Sequence, residues 1–271
     1  MGALGKNILF EKKQQECENL KELFAEIYKE YEDIQKESKY LYHKYSFLFG
    51  EANYNKYQSY LLCLRLRRKV EMYQAFINRQ ENINYVEVEK ALEKELEVHI
   101  KKLQTIMQDF IGATKYFHLS ELSNEEVKEI KHLFYKIAKK IHPDITGEYI
   151  EAHKDLWEKS LEAYQNNDLN TLRECAFLLD NLLFNVVQTS ALEDIIKKIG
   201  NYQTKIKEYK EKVVEIINSF PYNHKQLLFD KKYVEEEILK ITEEDLKYQE
   251  RSEEYLRLLS EMIPTSEKEI C

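Results

Sequence analysis

The stretch LKELFAEIYKEYEDIQKESKYLYHKYSFL, residues 20–48, indicates the fold class of this chain. Apolar residues recur in it at alternating steps of four and three, which places them on one face of an α-helix. Ser38 is the single polar break in the series Leu20, Phe24, Ile27, Tyr31, Ile34, Leu41, Tyr45 and Leu48. Such a stripe predicts a long helix that packs against another helix. Gly50 is the expected C-terminal stop of this helix.

Helical patterns continue on both sides of the middle of the chain. A helix of about residues 54–78 is followed by the polar segment NRQENIN (78–84), which predicts a loop. A helix of about residues 86–112 carries Leu96, Ile100, Leu103, Met107 and Phe110. Two further stripes lie near the far end: Ile195, Ile199, Tyr202, Ile206, Tyr209, Val213, Ile216 and Phe220, then Val234, Ile238, Ile241, Tyr248, Tyr255, Leu259 and Met262. The pattern predicts an all-α protein with long helices.

The last two stripes have matched lengths and flank the segment FPYNHKQLLFDKK (220–232), in which Pro221 ends the first helix. Because this connection is short, an antiparallel hairpin is favoured over pairing between two chains, which would give a homodimer. Asp245 and Ser252 fall on the seam and would set its register at some cost in stability. The seam tyrosines are interpreted as core residues rather than as platforms for nucleic-acid bases.

The composition narrows the class of protein. Six glycines and three prolines in 271 residues are few for a fold with many tight turns. The net charge of −8 argues against nucleic-acid binding by bulk charge, although the run RLRRK (65–69) is basic. The sequence contains no apolar run of about 18 residues, so it predicts no membrane helix. No signal-like pattern opens the sequence, so we expect a cytoplasmic protein.

The sequence shows no residue pattern typical of a catalytic or metal-binding site. Cys17, Cys63, Cys175 and Cys271 form no Cys-x-x-Cys pair, and the histidines show no ligand spacing with cysteines or paired carboxylates. The sequence contains no nucleophile elbow and no phosphate-binding loop. We therefore expect a protein that is not an enzyme and that needs neither a metal nor a cofactor.

The segment from Ser123 to Ile141 predicts a short amphipathic helix. Ser123 and Glu126 have the spacing of a capping box at its start. Apolar residues then recur at helical spacing and form one face. The remaining positions are rich in lysine, namely Lys128, Lys131, Lys136, Lys139 and Lys140.

The triplet His142-Pro143-Asp144 follows this basic helix. Pro143 biases the preceding residue away from helical geometry, so the helix is predicted to end near Ile141. We expect His142 and Asp144 to lie on an exposed loop. A second helix is predicted to begin near Ile150 or Ala152, antiparallel to the first.

These residues carry a resemblance to a known family. IKHLFYKIAKKIHPD (130–144) followed by LWEKSLEAY (156–164) resembles helix II, the His-Pro-Asp signature and helix III of a J domain, the DnaJ-type Hsp70 co-chaperone module. Beyond the triplet, the resemblance depends on Lys131, Phe134, Lys136, Ile137, Ala138, Lys140, Trp157, Ala163 and Tyr164. It covers roughly residues 123–180. The layout, a central J-like module between coiled-coil arms, is similar to that of divergent class C J proteins of bacteria.

Several segments depart from the J-domain pattern. TKYFHLSELS (114–123) does not match the short first helix of the family, and we expect the helix of residues 86–112 to take its packing role. The loop continues as Ile145-Thr146-Gly147, where the family often has Arg-Asn. QNNDLNTLRECAFLL (165–179) replaces the usual fourth-helix pattern.

The resemblance implies a function without chemistry of its own. In the J family, the basic helix docks on an acidic surface of the ATPase domain of Hsp70 (DnaK-type), and the His-Pro-Asp loop provokes ATP hydrolysis. Carried over by position, the docking residues are Lys131, Lys136, Lys139, Lys140, His142, Pro143 and Asp144. The residues that would support them are Phe134, Ile137, Ala138, Trp157, Ala163 and Tyr164.

The sequence thus predicts three regions: an N-terminal helical coiled-coil region (1–112), a J-like domain (113–185) and a C-terminal helical hairpin (186–271). The coiled-coil arms would bind a client or another partner. Two alternatives to the Hsp70 co-chaperone remain open. One is a structural scaffold with an inactive J-like fold. The other is a nucleic-acid or assembly factor that uses residues 65–69.

Overall fold

The computed structural model describes residues 3–118, 122–146, 151–181 and 192–262, and these ranges are all-α, as predicted. They contain no strand. The helices are α1 (Ala3–Asn78), α2 (Tyr85–His118), α3 (Asn124–Ile141), α4 (Pro143–Thr146), α5 (Glu151–Gln165), α6 (Leu169–Asn181), α7 (Leu192–Asn218) and α8 (Lys231–Met262). Two 3-10 turns, Tyr222–His224 and Leu227–Phe229, separate α7 from α8. Among the described helices, none combines the length and the apolar character that a membrane span requires.

Gly50 lies inside α1, so the predicted helix end at this residue is wrong. The glycine instead permits a close contact between two helices. A Cβ atom at this position would lie 2.7 Å from Cδ2 and 2.9 Å from Cβ of Phe110 on α2. The absent side chain therefore lets α2 approach α1 closely. The predicted loop after Asn78 is confirmed, since the chain leaves helical geometry until Tyr85.

We expect Gly50→Ala to lower the free energy of unfolding by about 1–2 kcal/mol, because the new methyl group overpacks the contact with Phe110. Gly112→Ala is the matched control. It lies on α2, and apart from its chain neighbours and its own helical backbone no atom lies within 4 Å of its would-be Cβ, so alanine there should stabilise the helix by about 0.5–1 kcal/mol. Urea unfolding followed by circular dichroism measures both variants. Equal stabilisation by the two substitutions would contradict the packing role of Gly50.

The helices form two compact units, each assembled from separated stretches of the chain. One contains Met1–Lys39 and Ser120–Asn223, and the other contains Tyr40–Leu119 and His224–Cys271. This division differs from the three consecutive regions expected from the sequence, because α1 contributes to both units. It also assigns α7 and α8 to different units. The antiparallel hairpin between them stays a prediction, as does the homodimer.

In the first unit, α3 and α5 are antiparallel. Phe134, in the middle of α3, stacks on Tyr164 near the end of α5, with ring centroids 4.1 Å apart. His142, which follows α3, contacts Trp157 in the first half of α5 at 4.7 Å. The helix pair predicted from the sequence therefore forms, and its turn contains the His-Pro-Asp triplet.

The N-terminal part of α1 completes the core of this unit. Its Phe24, Ala25, Ile27 and Tyr28 are at most 5% exposed. They share one cluster with Ile130, Phe134, Ile137, Ala138, Ile141, Ile145, Leu156, Trp157, Ala163, Tyr164, Leu172, Leu179, Tyr202 and Ile206. The packing role that was expected of residues 86–112 thus belongs to α1, and that expectation is wrong: α2 lies in the second unit.

In the second unit, the later part of α1 packs antiparallel to α2. The Tyr57 hydroxyl and Nδ1 of His99 are 2.8 Å apart, and farther along α1 the ring of Tyr73 lies 5.6 Å from that of Tyr85. Helix α8 contributes to the same core, which contains Leu66, Tyr73, Val88, Leu92 and Leu259.

The basic run RLRRK of α1 is balanced by carboxylates of its own unit. Arg65 and Lys69 both pair with Glu89 of α2, the latter at 2.7 Å. Arg68 pairs with Glu95 of α2 at 2.9 Å. Arg67 pairs with Glu71 within α1 at 2.9 Å. The run is thus paired with carboxylates of its own unit, and the nucleic-acid alternative stays a prediction.

Candidate functional site

Helix α3 begins and ends where the sequence predicted. At its start, the Ser123 hydroxyl accepts a hydrogen bond from the Glu126 backbone N–H at 3.2 Å. The Glu126 carboxylate accepts one from the Ser123 N–H at 2.8 Å, which completes the capping box. At its end, the His142 N–H donates to the Ala138 carbonyl at 3.0 Å. Both ends of this helix are therefore fixed by local hydrogen bonds.

The His-Pro-Asp triplet forms a compact turn. Pro143 opens the four-residue helix α4, where its missing N–H costs nothing. The Asp144 N–H donates to Nδ1 of His142 at 3.0 Å, and the Ile145 N–H donates to the His142 carbonyl at 2.9 Å. Since Nδ1 accepts a hydrogen bond, the neutral ring carries its proton on Nε2. The imidazole thus acts as a cap for α4.

His142 is buried, with 5% of its surface exposed, so the expectation of an exposed loop histidine is wrong. Three aromatic rings surround it. Ring centroids lie at 4.1 Å for Tyr28, 4.7 Å for Trp157 and 5.9 Å for Phe24. Two of these rings belong to α1, which is distant in sequence from His142. The residues next to Pro143 therefore could not predict that α1 covers the histidine.

Burial is the main electrostatic influence on this histidine. It lowers the pKa of His142 from 6.5 to about 4, because the charged ring would lose its hydration. The Asp144 carboxylate acts in the opposite direction, and Lys205 adds to the lowering. The imidazole is therefore neutral at physiological pH.

Helix α7 contacts the other side of the turn. Lys205 Nζ lies 3.6 Å from the Asp144 carboxylate, and the Tyr202 hydroxyl donates to the Ile145 carbonyl at 2.8 Å. Ile145 itself is 1% exposed, whereas Pro143 and Asp144 are half-buried. The turn is thus enclosed between α1 and α7.

The four lysines predicted to dock a partner all form ion pairs within the first unit. Lys131 pairs with Asp33 at 3.3 Å and Lys139 with Glu22 at 3.2 Å, both on α1. The remaining two share one carboxylate on α6, with distances to Asp180 of 2.6 Å for Lys136 and 3.2 Å for Lys140. The lysine side chains remain 36–44% exposed. Pairs this exposed are weak, so the lysines can exchange partners.

The six residues that were predicted to support the site lie together in the core. They are each at most 6% exposed: Phe134, Ile137, Ala138, Trp157, Ala163 and Tyr164. The Tyr164 hydroxyl donates to the Asp33 carboxylate, and Lys36 donates to the Tyr164 carbonyl at 2.8 Å. Both contacts tie α5 to α1. The sequence pattern thus identified the members of this cluster but missed the helix that packs on it.

Other residues near the triplet were not singled out as site residues. Phe24 and Tyr202 had been placed only in helical stripes, and Lys205 had no assignment. Glu32 is 4% exposed and accepts a hydrogen bond from the Tyr28 hydroxyl at 2.7 Å. Burial raises the pKa of Glu32, although the Tyr28 hydrogen bond opposes this effect. Hydrophobic periodicity was the only available signal for Phe24 and Tyr202, and it does not reveal which partner a stripe contacts.

The chain matches no protein-family model, no curated protein and no solved structure. The resemblance to a J domain therefore stays an expectation from the sequence. Among the described residues, no group of three or more histidine, cysteine, aspartate or glutamate side chains is placed to hold a metal ion. The candidate site consists of α3, the His-Pro-Asp turn and α5.

Proposed function

We propose that this chain is an Hsp70 co-chaperone of the J-domain type, with α3, the His-Pro-Asp turn and α5 as its docking module. The antiparallel α3–α5 pair is the observation that carries the proposal. It places the triplet at the turn between the helices, directly after the helix that carries the four lysines expected to dock a partner. The helical arms of both units would then bind a client or determine location.

The lysines suit a contact with an acidic protein surface. Their present partners are carboxylates, and their side chains are still partly exposed. An acidic partner can replace these intramolecular pairs at little net cost, because both states keep each lysine beside a carboxylate. Such contacts mainly increase the association rate and weaken with salt.

The proposal predicts that the full-length chain accelerates single-turnover ATP hydrolysis by a DnaK-type Hsp70. Asp144→Asn is expected to reduce this acceleration at least about tenfold, which corresponds to about 1.4 kcal/mol of activation free energy. Asp144 is the better choice than His142, because the Asp144 side chain is 32% exposed and its replacement leaves the core intact. Asp155→Asn, on the exposed face of α5, is the matched control and should retain the acceleration.

Two results would contradict the proposal. One is equal acceleration by the wild-type chain and Asp144→Asn. The other is no acceleration by either the folded wild-type chain or a Lys205→Glu variant that frees Asp144, tested at low salt beside a working J protein.

A structural scaffold is the second candidate, and one observation favours it. His142 is buried among three aromatic rings, which is the environment of a core residue. In that case the α3–α5 pair would serve only to anchor the arms. The wild-type chain and its folded Asp144 variants would then leave Hsp70 ATP hydrolysis unchanged under any condition.

A further inference from the structure

The triplet that would contact Hsp70 is covered by two helices of the same unit. On one side, the Tyr28 and Phe24 rings of α1 contact the His142 ring. On the other side, Lys205 and Tyr202 of α7 contact the two residues that follow Pro143. An incoming protein cannot reach His142 in this arrangement, since only 5% of its surface is exposed.

The two covering helices differ in how they hold the turn. Phe24 and Tyr28 are 0% and 3% exposed and belong to the centre of the core, so α1 cannot leave without unfolding the unit. Helix α7 also contributes Tyr202 and Ile206 to this core, at 7% and 9% exposed, but it contacts the turn itself through polar groups, an ion pair at 3.6 Å and one hydrogen bond. The ion pair is partly exposed, with 38% of the Lys205 side chain accessible, and such pairs are weak.

Helix α7 also contacts α1 through aromatic rings. Tyr209 lies 5.3 Å from Tyr28 and 5.5 Å from Phe24 between ring centroids. Tyr202 lies 6.3 Å from Phe24. Removal of α7 would therefore uncover the rings that enclose His142, as well as Asp144 and the Ile145 carbonyl. Among the described elements, α7 is the one whose movement would uncover Asp144 and the Ile145 carbonyl, and one side of the rings around His142, while α1, α3 and α5 stay packed.

We propose that α7 is an autoinhibitory latch, formed by Tyr202, Lys205 and Tyr209, that keeps the His-Pro-Asp turn closed to Hsp70. This inference rests on the proposed function. In a closed–open equilibrium, only the open fraction binds, so the apparent affinity for Hsp70 is reduced by that fraction. A partner that binds the apolar face of α7 in its released position would activate the chain by shifting the population.

The test uses the full-length double variant Tyr202→Phe/Lys205→Glu. The first change removes the hydroxyl that donates to Ile145 but keeps the ring, and the second places like charges beside Asp144. Lys207→Glu is the matched control, because it makes the same charge change on α7 at a side chain that is 79% exposed and paired with Glu211.

The double variant is expected to accelerate Hsp70 ATP hydrolysis about 5–10-fold more than the wild type at subsaturating concentration, by increasing the open fraction. Lys207→Glu should behave as wild type. Addition of Asp144→Asn to the double variant should remove the gain.

Hydrogen exchange at the Asp144 N–H, which donates to His142, gives a readout that does not depend on Hsp70. Faster exchange together with stronger acceleration supports the latch. Unchanged exchange, or faster exchange with acceleration equal to that of the wild type, overturns the latch and leaves the proposed function standing. Faster exchange with no acceleration by any variant contradicts the proposed function instead.

Discussion

Replacing Phe134 by alanine is expected to lower the free energy of unfolding of the first unit by about 3–5 kcal/mol, the typical range for a buried phenylalanine. Phe134 is 1% exposed, stacks on Tyr164 at 4.1 Å and lies 5.5 Å from Trp157. The alanine variant would leave a cavity between α3 and α5, the pair that positions the His-Pro-Asp turn. Because the neighbouring rings are held by other helices, the cavity cannot collapse fully.

Urea unfolding followed by tryptophan fluorescence measures this effect directly, because Trp157 is the single tryptophan of the chain and lies in the same cluster. Phe177→Ala is the matched control. Phe177 lies on α6 with 69% of its surface exposed, so its loss should change the free energy by less than about 0.5 kcal/mol. Similar costs for the two variants would show that Phe134 is not in a well-packed core.

The stability of the first unit should fall by about 3 kcal/mol as the pH decreases from 6.5 towards 4, through the protonation of His142 alone. Burial lowers the pKa of this histidine to about 4 in the folded chain, whereas its ordinary value is 6.5. Between these values the unfolded chain binds the proton and the folded chain does not. Protonation thus favours unfolding, and the contribution of neutral His142 to the free energy of unfolding is fully present above pH 6.5.

Charged and titratable groups around the ring modify this dependence. Asp144 raises the pKa of His142 and Lys205 lowers it, and Tyr28 does not titrate in this range because burial raises its pKa. Glu32 acts in the opposite sense to His142. Burial raises the pKa of Glu32, so its protonation in the folded chain offsets part of the loss as the pH falls.

His142→Asn isolates the contribution of the histidine. An asparagine side chain can accept the Asp144 N–H in the same way as Nδ1, but it does not titrate. The difference in unfolding free energy between pH 6.5 and 4, measured by urea unfolding at each pH, should therefore be about 3 kcal/mol smaller in this variant. An unchanged difference would mean that His142 is hydrated and titrates normally.

Local signals in the sequence predicted the helices but not their partners. The capping residues Ser123 and Glu126 and the proline at 143 define the ends of α3 through contacts within a few residues, so both ends were predictable. Gly50 could not be interpreted this way. A glycine at a helix end and a glycine under a neighbouring ring look alike in sequence, and Phe110 lies on another helix.

The environment of His142 was also beyond local prediction. The helical stripe around Phe24 indicated that this face is buried, but a stripe does not specify which helix covers it. The correct partner of the N-terminal part of α1 is the α3–α5 pair, whereas residues 86–112 carry an equally good stripe. The exposure of the His-Pro-Asp turn depends on this choice, because two rings of α1 cover the His142 ring.

The long separation between α1 and its partners has a consequence for synthesis on the ribosome. Lys36 contacts the Tyr164 carbonyl across 128 residues, which take roughly 6–26 s to translate. Throughout that time the apolar face of α1 with Phe24 and Tyr28 has been made but α5 has not. Helices α3, α5 and α6 contact one another across short separations and can assemble as soon as they emerge. The nascent chain therefore exposes the apolar face of α1 for many seconds before the helices that bury it are synthesised.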